Sequence, residues 1–322
     1  MNEQISPKTP LVNIVMATFN PRMDWLKEQL QSLNEQTYKN IIIYIRDDCS
    51  DKVSLEEIKA FIKETITNFP YSIQQNAENI GSNRTFEKLT EQAEGQYIAY
   101  CDQDDIWLPE KIQKLVDFIQ QTNSQLVCSD VYVIDTKGKT NANSITGARK
   151  RHVFKEGGNL ANDLLFRNFV IGCTMLMPTK LAKDAMPFVE DMVHDHYLAL
   201  YASTKGSIDV YKENLIRYRI HESNQTNILS KVSNKATYYQ VRIKPYLRRM
   251  EQLKKRFDIK ELDEAYEWAQ AREVYYQNKS SSKALWHLRH LDKNTTIFEL
   301  VMLRMPSSVF NSVLTWIQRG KV

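Results

Sequence analysis

Cysteine, glycine and proline are all scarce in these 322 residues, at four, nine and nine copies. The cysteines (Cys49, Cys101, Cys128, Cys173) are scattered, with no C-x-x-C pair and no zinc-finger spacing. Neither a disulfide framework nor a structural zinc site is expected, and a reducing compartment suits the chain. So little glycine and proline excludes collagen-like and low-complexity classes. The opening residues, MNEQISPKTP, show no basic stretch followed by an apolar one, so no signal peptide is expected and the protein is expected to act in the cytoplasm. No apolar run reaches the roughly 18–20 residues of a spanning helix. The nearest, 296–318, is broken by Glu299, Arg304 and Pro306. No internal repeat and no DNA- or RNA-binding motif is present, so nucleic acid is not an expected partner.

What is present matches a globular chain: 42% hydrophobic, 10% aromatic and 25% charged residues, enough for one large domain with an appendage. The formal charge of +4 hides an asymmetry. Residues 1–230 hold 25 Lys+Arg against 30 Asp+Glu, whereas 231–322 hold 18 against 9. A rear segment with a surplus of nine positive charges is suited to an anionic surface.

Short β-branched runs alternate with helical patterns through the front half, the order of an α/β fold built on a mostly parallel sheet. Strands are expected at 11–17 (LVNIVMA), 41–46 (IIIYIR), 71–75 and 97–101, with further strands at 126–135 and 170–177. Helices are expected at 25–34, 55–69, 85–93, from Pro109 onward, and at 194–203. Residues 137–159, with four glycines and the basic run Arg149 to Arg151, read as a mobile loop. From residue 230 the pattern is helical only, which sets domains at 1–230 and 231–322.

Ligands of open α/β sheets bind beyond the carboxyl ends of the strands. Three polar turns fall there: Thr18-Phe19-Asn20-Pro21, Asp47-Asp48-Cys49-Ser50-Asp51 and Asp102-Gln103-Asp104-Asp105. Aspartates after strands are often turn or cap residues, and Asp51 and Asp105 are cap candidates. Three carboxylates within four residues, however, repel one another unless a cation balances them. Oxygen ligands favour Mg²⁺ or Mn²⁺, which keep coordination positions open for a diphosphate. A nucleotide diphosphate substrate follows.

The ordered series VNIVMATFN, IRDDCSD, ENIG, YCDQDDIWLPEKI, GCTM, HDHYLAL and YRIHESN resembles glycosyltransferase family 2, with its GT-A nucleotide-sugar fold, over residues 11 to about 225. CDQDDIW with GCTM, HDHYLAL and YR-x-H most resembles bacterial rhamnosyltransferases of cell-wall and capsular polysaccharides. The resemblance implies an inverting, metal-dependent transfer of a sugar from a dTDP- or UDP-sugar, L-rhamnose or a UDP-hexose or UDP-N-acetylhexosamine, to a glycan or lipid-linked acceptor. It implies Thr18, Asn20, Asp48, Asn79, Gly81 and Arg84 around the nucleoside, with Arg84 equally a solvated helical arginine. Asp102 is implied at the ribose or metal, Asp104 as principal metal ligand and His221 beside the metal or diphosphate, with Arg219 reaching phosphate. Asp195 matches the general base, although many relatives carry Glu-Asp where this chain has His194-Asp195. Alternatives are that Asp195 caps its helix and that His194 and His196 form a metal pair. Trp107 is implied as a floor for the acceptor sugar, or else is a core tryptophan. Gly172, Cys173 and Thr174 are implied along the acceptor side, with Cys173 as filler.

The aromatic and basic rear segment suits contact with an anionic membrane, or packing on the catalytic domain or on a second copy in a homodimer. A rival of another class is a non-catalytic nucleotide-sugar or glycan binding protein. A nucleotidyltransferase would be expected to carry a Gly-rich phosphate loop near the N-terminus, and ATFNPRMDW is not one.

Overall fold

The computed structural model describes residues 9–150, 152–221, 229 and 231–318. The chain divides into two compact units: one of 1–164, 168–188 and 193–221, the other of 165–167, 189–192 and 222–322. Residue 230, where the sequence places the domain boundary, lies outside the described residues, as do Arg151 and Glu222, Ser223 and Asn224 of the last motif.

The first unit follows the order β1 (Val12–Thr18), α1 (Met23–Asn34), β2 (Ile41–Asp47), α2 (Leu55–Thr65), β3 (Tyr71–Gln75), α3 (Ser82–Gln92), β4 (Tyr97–Cys101), β5 (Ile106–Trp107), α4 (Lys111–Thr122), β6 (Leu126–Ile134), β7 (Thr140–Ala142), α5 (Ile145–Ala148), α6 (Ala161–Phe166), β8 (Leu176–Pro178), α7 (Thr179–Asp184), α8 (His194–Ser203) and β9 (Ile208–Arg219). The sheet order is β3-β2-β1-β4-β8-β6-β9-β5, with β7 on β6. β3, β2, β1 and β4 are parallel, as expected, but β8 runs antiparallel to both β4 and β6, and β5 antiparallel to β9. The sheet is therefore mixed.

The apolar runs become strands because both sheet faces are covered. Val12, Ile14, Val15 and Met16 of β1 are fully buried, and Leu26, Leu30 and Leu33 of α1 join Ile58 and Ile62 of α2 in the same core. Each such side chain contributes about 1.5–3 kcal/mol by leaving water. The register pairs Thr18 with Asp47 and Met16 with Cys101, so β1, β2 and β4 end at one edge.

Several expected extents change. α2 stops at Thr65, and its cap is Ser54, whose Oγ accepts from Glu57 N at 3.1 Å, rather than Asp51. Only Leu176–Pro178 of the expected strand at 170–177 is extended, because Gly172–Thr174 form a 3₁₀ turn. The stretch read as a mobile loop contains β7, α5 and a bridge from Gly157 to Ile208.

The second unit is helical: α9 (Lys235–Tyr238), a π turn (Tyr239–Ile243), α10 (Lys244–Lys254), α11 (Glu261–Gln277), α12 (Ser282–His287), α13 (Lys293–Met302) and α14 (Ser307–Gln318). Its core joins Tyr238, Ile243, Trp268, Tyr275, Leu285, Phe310 and Leu314 around a buried ion pair between Arg272 and Glu299. No helix among the described residues is long and apolar enough to cross a membrane.

Candidate active site

The edge where β1, β2 and β4 end is cross-braced by side chains. Asp47, fully buried, accepts from Thr18 Oγ1 (3.0 Å), Ser50 Oγ (2.6 Å), Ser50 N (2.8 Å) and Gln75 Nε2 (2.9 Å). Thr18 is 1% exposed, so its hydroxyl holds the edge together and does not face a nucleobase. Asn20 sits at φ +45° and ties the first turn to the second: Nδ2 donates to Asp51 Oδ1 (2.7 Å), and Oδ1 accepts from Asp51 N and Lys52 N. Asp51 therefore serves this tie and caps no helix.

Asp48 organises the third loop. Its Oδ1 accepts from Asn76 Nδ2 (2.9 Å) and Ile80 N (2.9 Å), and its Oδ2 from Gly81 N (2.8 Å). Oδ2 keeps one lone pair for a further donor. Asn79 Oδ1 also faces Gly81 N (3.2 Å), and Gly81 opens α3 at φ +82°, a conformation that side chains resist. Arg84 pairs with Glu87 one turn along α3.

The acidic motif follows β4. His221 Nε2 donates to Asp104 Oδ2 at 2.7 Å, so the structure brings together two of the three residues implied as metal ligands. Burial, then the charges of Asp104 and Asp195, pushes the Asp102 carboxyl up to about 7. This crowding is what a hard divalent cation relieves, and two carboxylates with an imidazole are ligands that Mg²⁺ or Mn²⁺ accepts. Among the described residues, ligand atoms of Asp102, Asp105 and Cys173 also lie within 4.8 Å of one another. That trio suits a hard cation poorly. Burial raises the Cys173 thiol well above its ordinary range, and Asp105 Oδ1 already accepts from Arg219 N at 2.8 Å. Asp105 is thus a buried anchor for the end of β9, and not a cap of α4, which begins only at Lys111.

Arg219 is 1% exposed and bonds Asp104 O, Asp135 O and Glu28, so its fork secures loops rather than reaching phosphate. Trp107, likewise 1% exposed, lies under Lys111 Nζ, 3.0 Å from its ring centre, as a core residue and not a sugar floor. Cys173 and Thr174 are buried as well, and Thr174 Oγ1 donates to Ile171 O. They do not line an open acceptor face.

Asp195 stands in the first turn of α8, whose cap position is Val193, so it is not the cap. Its Oδ1 accepts from Asn168 Nδ2 (3.1 Å) and His196 N (2.6 Å), and its Oδ2 from Gly172 N (3.0 Å). Burial raises its carboxyl to about 6 against the pull of those donors. Gly172 therefore serves Asp195 rather than a sugar. A Cβ there would stand 3.0 Å from His194 Nε2 and 3.3 Å from Asp195 Cβ. The two histidines diverge: the His194 ring lies tilted against Phe86, centroids 4.1 Å apart, while His196 Nε2 meets Leu164 O at 2.6 Å. They form no metal pair.

Sequence reasoning missed Asn168 and Gln103. Gln103 clasps the main chain of Phe19 through both ends of its amide, at 2.8 and 3.1 Å, and so joins the acidic motif to the first turn. The available signal for Asn168 was a lone amide at the head of an otherwise apolar stretch, FVIGCTMLM, that leads to the glycine beside Asp195.

The model of "Glycosyl transferase family 2" matches residues 13–184. The dTDP-rhamnosyl transferase RfbG of Shigella flexneri is 27% identical over 305 residues, spanning 89% of this chain and 98% of that one. Among solved structures, residues 1–349 of S. aureus TarS in complex with UDP-GlcNAc superpose with a TM-score of 0.61 at 14% identity, covering 96% of this chain and 92% of that one. The mannosyltransferase PcManGT of Pyrobaculum calidifontis, in complex with GDP-Man and Mn²⁺, gives 0.56 at 12% identity over 98% and 82%. With its GT-A architecture and a family match across more than half its length, this chain belongs to glycosyltransferase family 2.

Proposed function

We propose that the protein is an inverting, metal-dependent glycosyltransferase that moves one sugar from a nucleotide diphosphate to a hydroxyl of a cell-surface polysaccharide or lipid-linked glycan. L-rhamnose on thymidine diphosphate is the first donor to test, supported by the full-length alignment with RfbG, and UDP-hexose and UDP-N-acetylhexosamine are the alternatives. The observation that carries the reading is geometric: Gly172 N donates to Asp195 Oδ2, and the sulfur of the next residue, Cys173, lies within 4.8 Å of a carboxylate oxygen of Asp102, so the carboxylate read as the base stands beside the acidic motif.

Asp102, Asp104 and His221 would hold Mg²⁺ or Mn²⁺, which supplies positive charge to the departing diphosphate when bound. Asp195 takes the proton of the acceptor hydroxyl as that oxygen bonds to the anomeric carbon. The bond from that carbon to the diphosphate breaks and its electron pair leaves with the diphosphate. Attack from the face opposite the leaving group inverts the centre in a single displacement. Asp48 Oδ2 has room for one donor from a pyrimidine ring.

Residues 1–230 form the catalytic domain in this reading, and 231–322 place it on the cytoplasmic face of a membrane. Trp286 and Trp316 are about half exposed, with Ile297 and Val301 presented one turn apart on α13. The only acidic residues of 279–318, Asp292 and Glu299, are withdrawn, Asp292 as a cap paired with Arg167 and Glu299 in its buried pair, leaving cationic and apolar groups outward. Aromatics beside cations suit an anionic lipid interface.

The test is thermal stabilisation by nucleotide diphosphates and sugar nucleotides, with and without Mn²⁺, in wild type and Asp104→Ala. A ligand at a hundredfold excess over its Kd adds about 2.7 kcal/mol, a shift of several degrees. A Mn²⁺-dependent shift with one nucleotide, lost in Asp104→Ala, supports the site and identifies the carrier. If no nucleotide moves the transition, the donor site is misassigned and glycan binding without catalysis becomes the better reading.

A further inference from the structure

The donors around Asp195 are unequal in number on its two oxygens. Oδ1 accepts two hydrogen bonds, from Asn168 Nδ2 and from His196 N, whereas Oδ2 accepts one, from Gly172 N. A carboxylate oxygen has two lone pairs, so Oδ1 is filled and Oδ2 has a single position left. The Asn168 amide cannot turn over, because its own Oδ1 accepts from Val170 N at 3.0 Å. Its Nδ2 is therefore the end held against Asp195. Of these three donors, two belong to the backbone of α8 and of the turn at Gly172, and among the described residues Asn168 supplies the only side chain.

We propose that Asn168 is a positioning residue for Asp195, one that fills Oδ1, leaves Oδ2 as the atom that receives the acceptor proton, and keeps the carboxylate ionised. The inference rests on Asp195 being the base. The other titratable groups facing it do not substitute for the amide. Asp102 is a like charge. His194 is held neutral, its pKa pushed down to about 3 by burial, and packs at a tilt against the rings of Phe86 and Tyr100. His196 turns its Nε2 to the Leu164 carbonyl. With burial pushing Asp195 up, the N–H groups of His196, Gly172 and Asn168, with its own backbone N–H, oppose protonation.

The experiment uses the full chain with Mn²⁺, the donor carrier found by thermal shift, and saturating acceptor. kcat is followed from pH 5 to 8.5 in wild type, Asn168→Ala, Asn168→Asp and Asp195→Asn. The wild-type acid limb is expected near pH 6. Loss of one charge-assisted hydrogen bond is expected to raise it by about one pH unit in Asn168→Ala, so that at pH 6 kcat falls to about a tenth of the variant's own plateau, against about half for wild type. Asn168→Asp raises it further, because two carboxylates then face each other. Lower plateaus with unmoved limbs in both variants would make Asn168 a structural residue and overturn the proposal. Should a variant turn over too slowly to assay, ¹³C NMR of the Asp195 carboxyl, identified by its absence in Asp195→Asn, gives the same comparison without turnover. An unchanged midpoint there is equally fatal. Near-normal turnover in Asp195→Asn would instead remove the base assignment itself, a separate failure.

Discussion

Lys111 offers the sharpest quantitative test of the buried electrostatics beneath the acidic motif. Its side chain is fully buried at the start of α4, and its Nζ has no hydrogen-bond partner among the described residues. Burial lowers its pKa to about 7, against smaller upward pulls from Cys101, Cys173 and Asp105. The unfolded chain, with an ordinary lysine near 10.4, binds more protons than the native state between pH 7 and 10. Stability must therefore rise with pH across that window, and the penalty on the native state is largest at and below pH 7. Weighting the two protonation equilibria gives a penalty of about 4 kcal/mol at pH 7 and about 2 kcal/mol at pH 9. Lys111→Met keeps the aliphatic volume over Trp107 and removes the titration. Urea unfolding of both proteins at pH 7, 8 and 9 isolates the lysine, since every other titrating group cancels in the difference. Wild type is expected to gain about 2 kcal/mol relative to Lys111→Met between pH 7 and 9. Parallel curves, with a constant difference, would show that the native ammonium is not penalised and would refute the reasoning.

Other predictions follow from particular contacts. Gly172→Ala places a methyl 3.0 Å from His194 Nε2 and 3.3 Å from Asp195 Cβ, so kcat is expected to fall at least tenfold while the nucleotide-induced thermal shift is kept. In the second unit, Arg272→Met strands the Glu299 carboxylate and is expected to cost about 3–5 kcal/mol in chemical unfolding, whereas Arg272→Met with Glu299→Leu is expected to recover most of that loss. Co-sedimentation with phosphatidylglycerol-containing vesicles is expected for wild type, to weaken in high salt and in Trp286→Ser/Trp316→Ser, and to be absent with neutral phosphatidylcholine. A salt-insensitive dimer that ignores both vesicles would assign that face to a second copy.

The strand ends were legible because burial on both sheet faces leaves an unmistakable apolar run, and Ile41–Asp47 or Tyr97–Cys101 can be read almost to the residue. Which way a polar side chain points after such a run was not. Thr18 turned inward to Asp47, and Arg219 was drawn under the acidic motif, because buried carboxylates and carbonyls there require donors and these were the nearest. Trp107 went to the core for a related reason: β5 pairs with β9, which places the indole beneath the site. The role of Gly172 was invisible for another reason. Only the tertiary approach of α8 shows that a Cβ would strike His194.

Asp102, Asp104, Asp105 and Asp195 gather around the acidic motif, and their surroundings separate them. Asp105 is sealed off and bound to the β9 backbone, where its carboxyl is pushed well up by burial, so it anchors without drawing a cation. Asp104 is engaged by His221, while Asp102 stays crowded by like charge, so these two gain most from an arriving cation. Asp195 is half-buried and accepts from three N–H groups, of Asn168, Gly172 and His196, which oppose the upward push of burial on a carboxyl at about 6, a value suited to a general base. Divergent environments for chemically identical groups are how one fold distributes acid, base and ligand roles. A consequence is that charge removal is not equivalent among the four. Removing Asp104 is expected to abolish cation-dependent donor binding and to leave Asp195 in place, whereas removing Asp195 is expected to leave donor binding and abolish transfer. A variant pair in which both functions failed together would mean that the carboxylates act as one charged cluster, and the division of labour drawn from their separate hydrogen-bond partners would not stand.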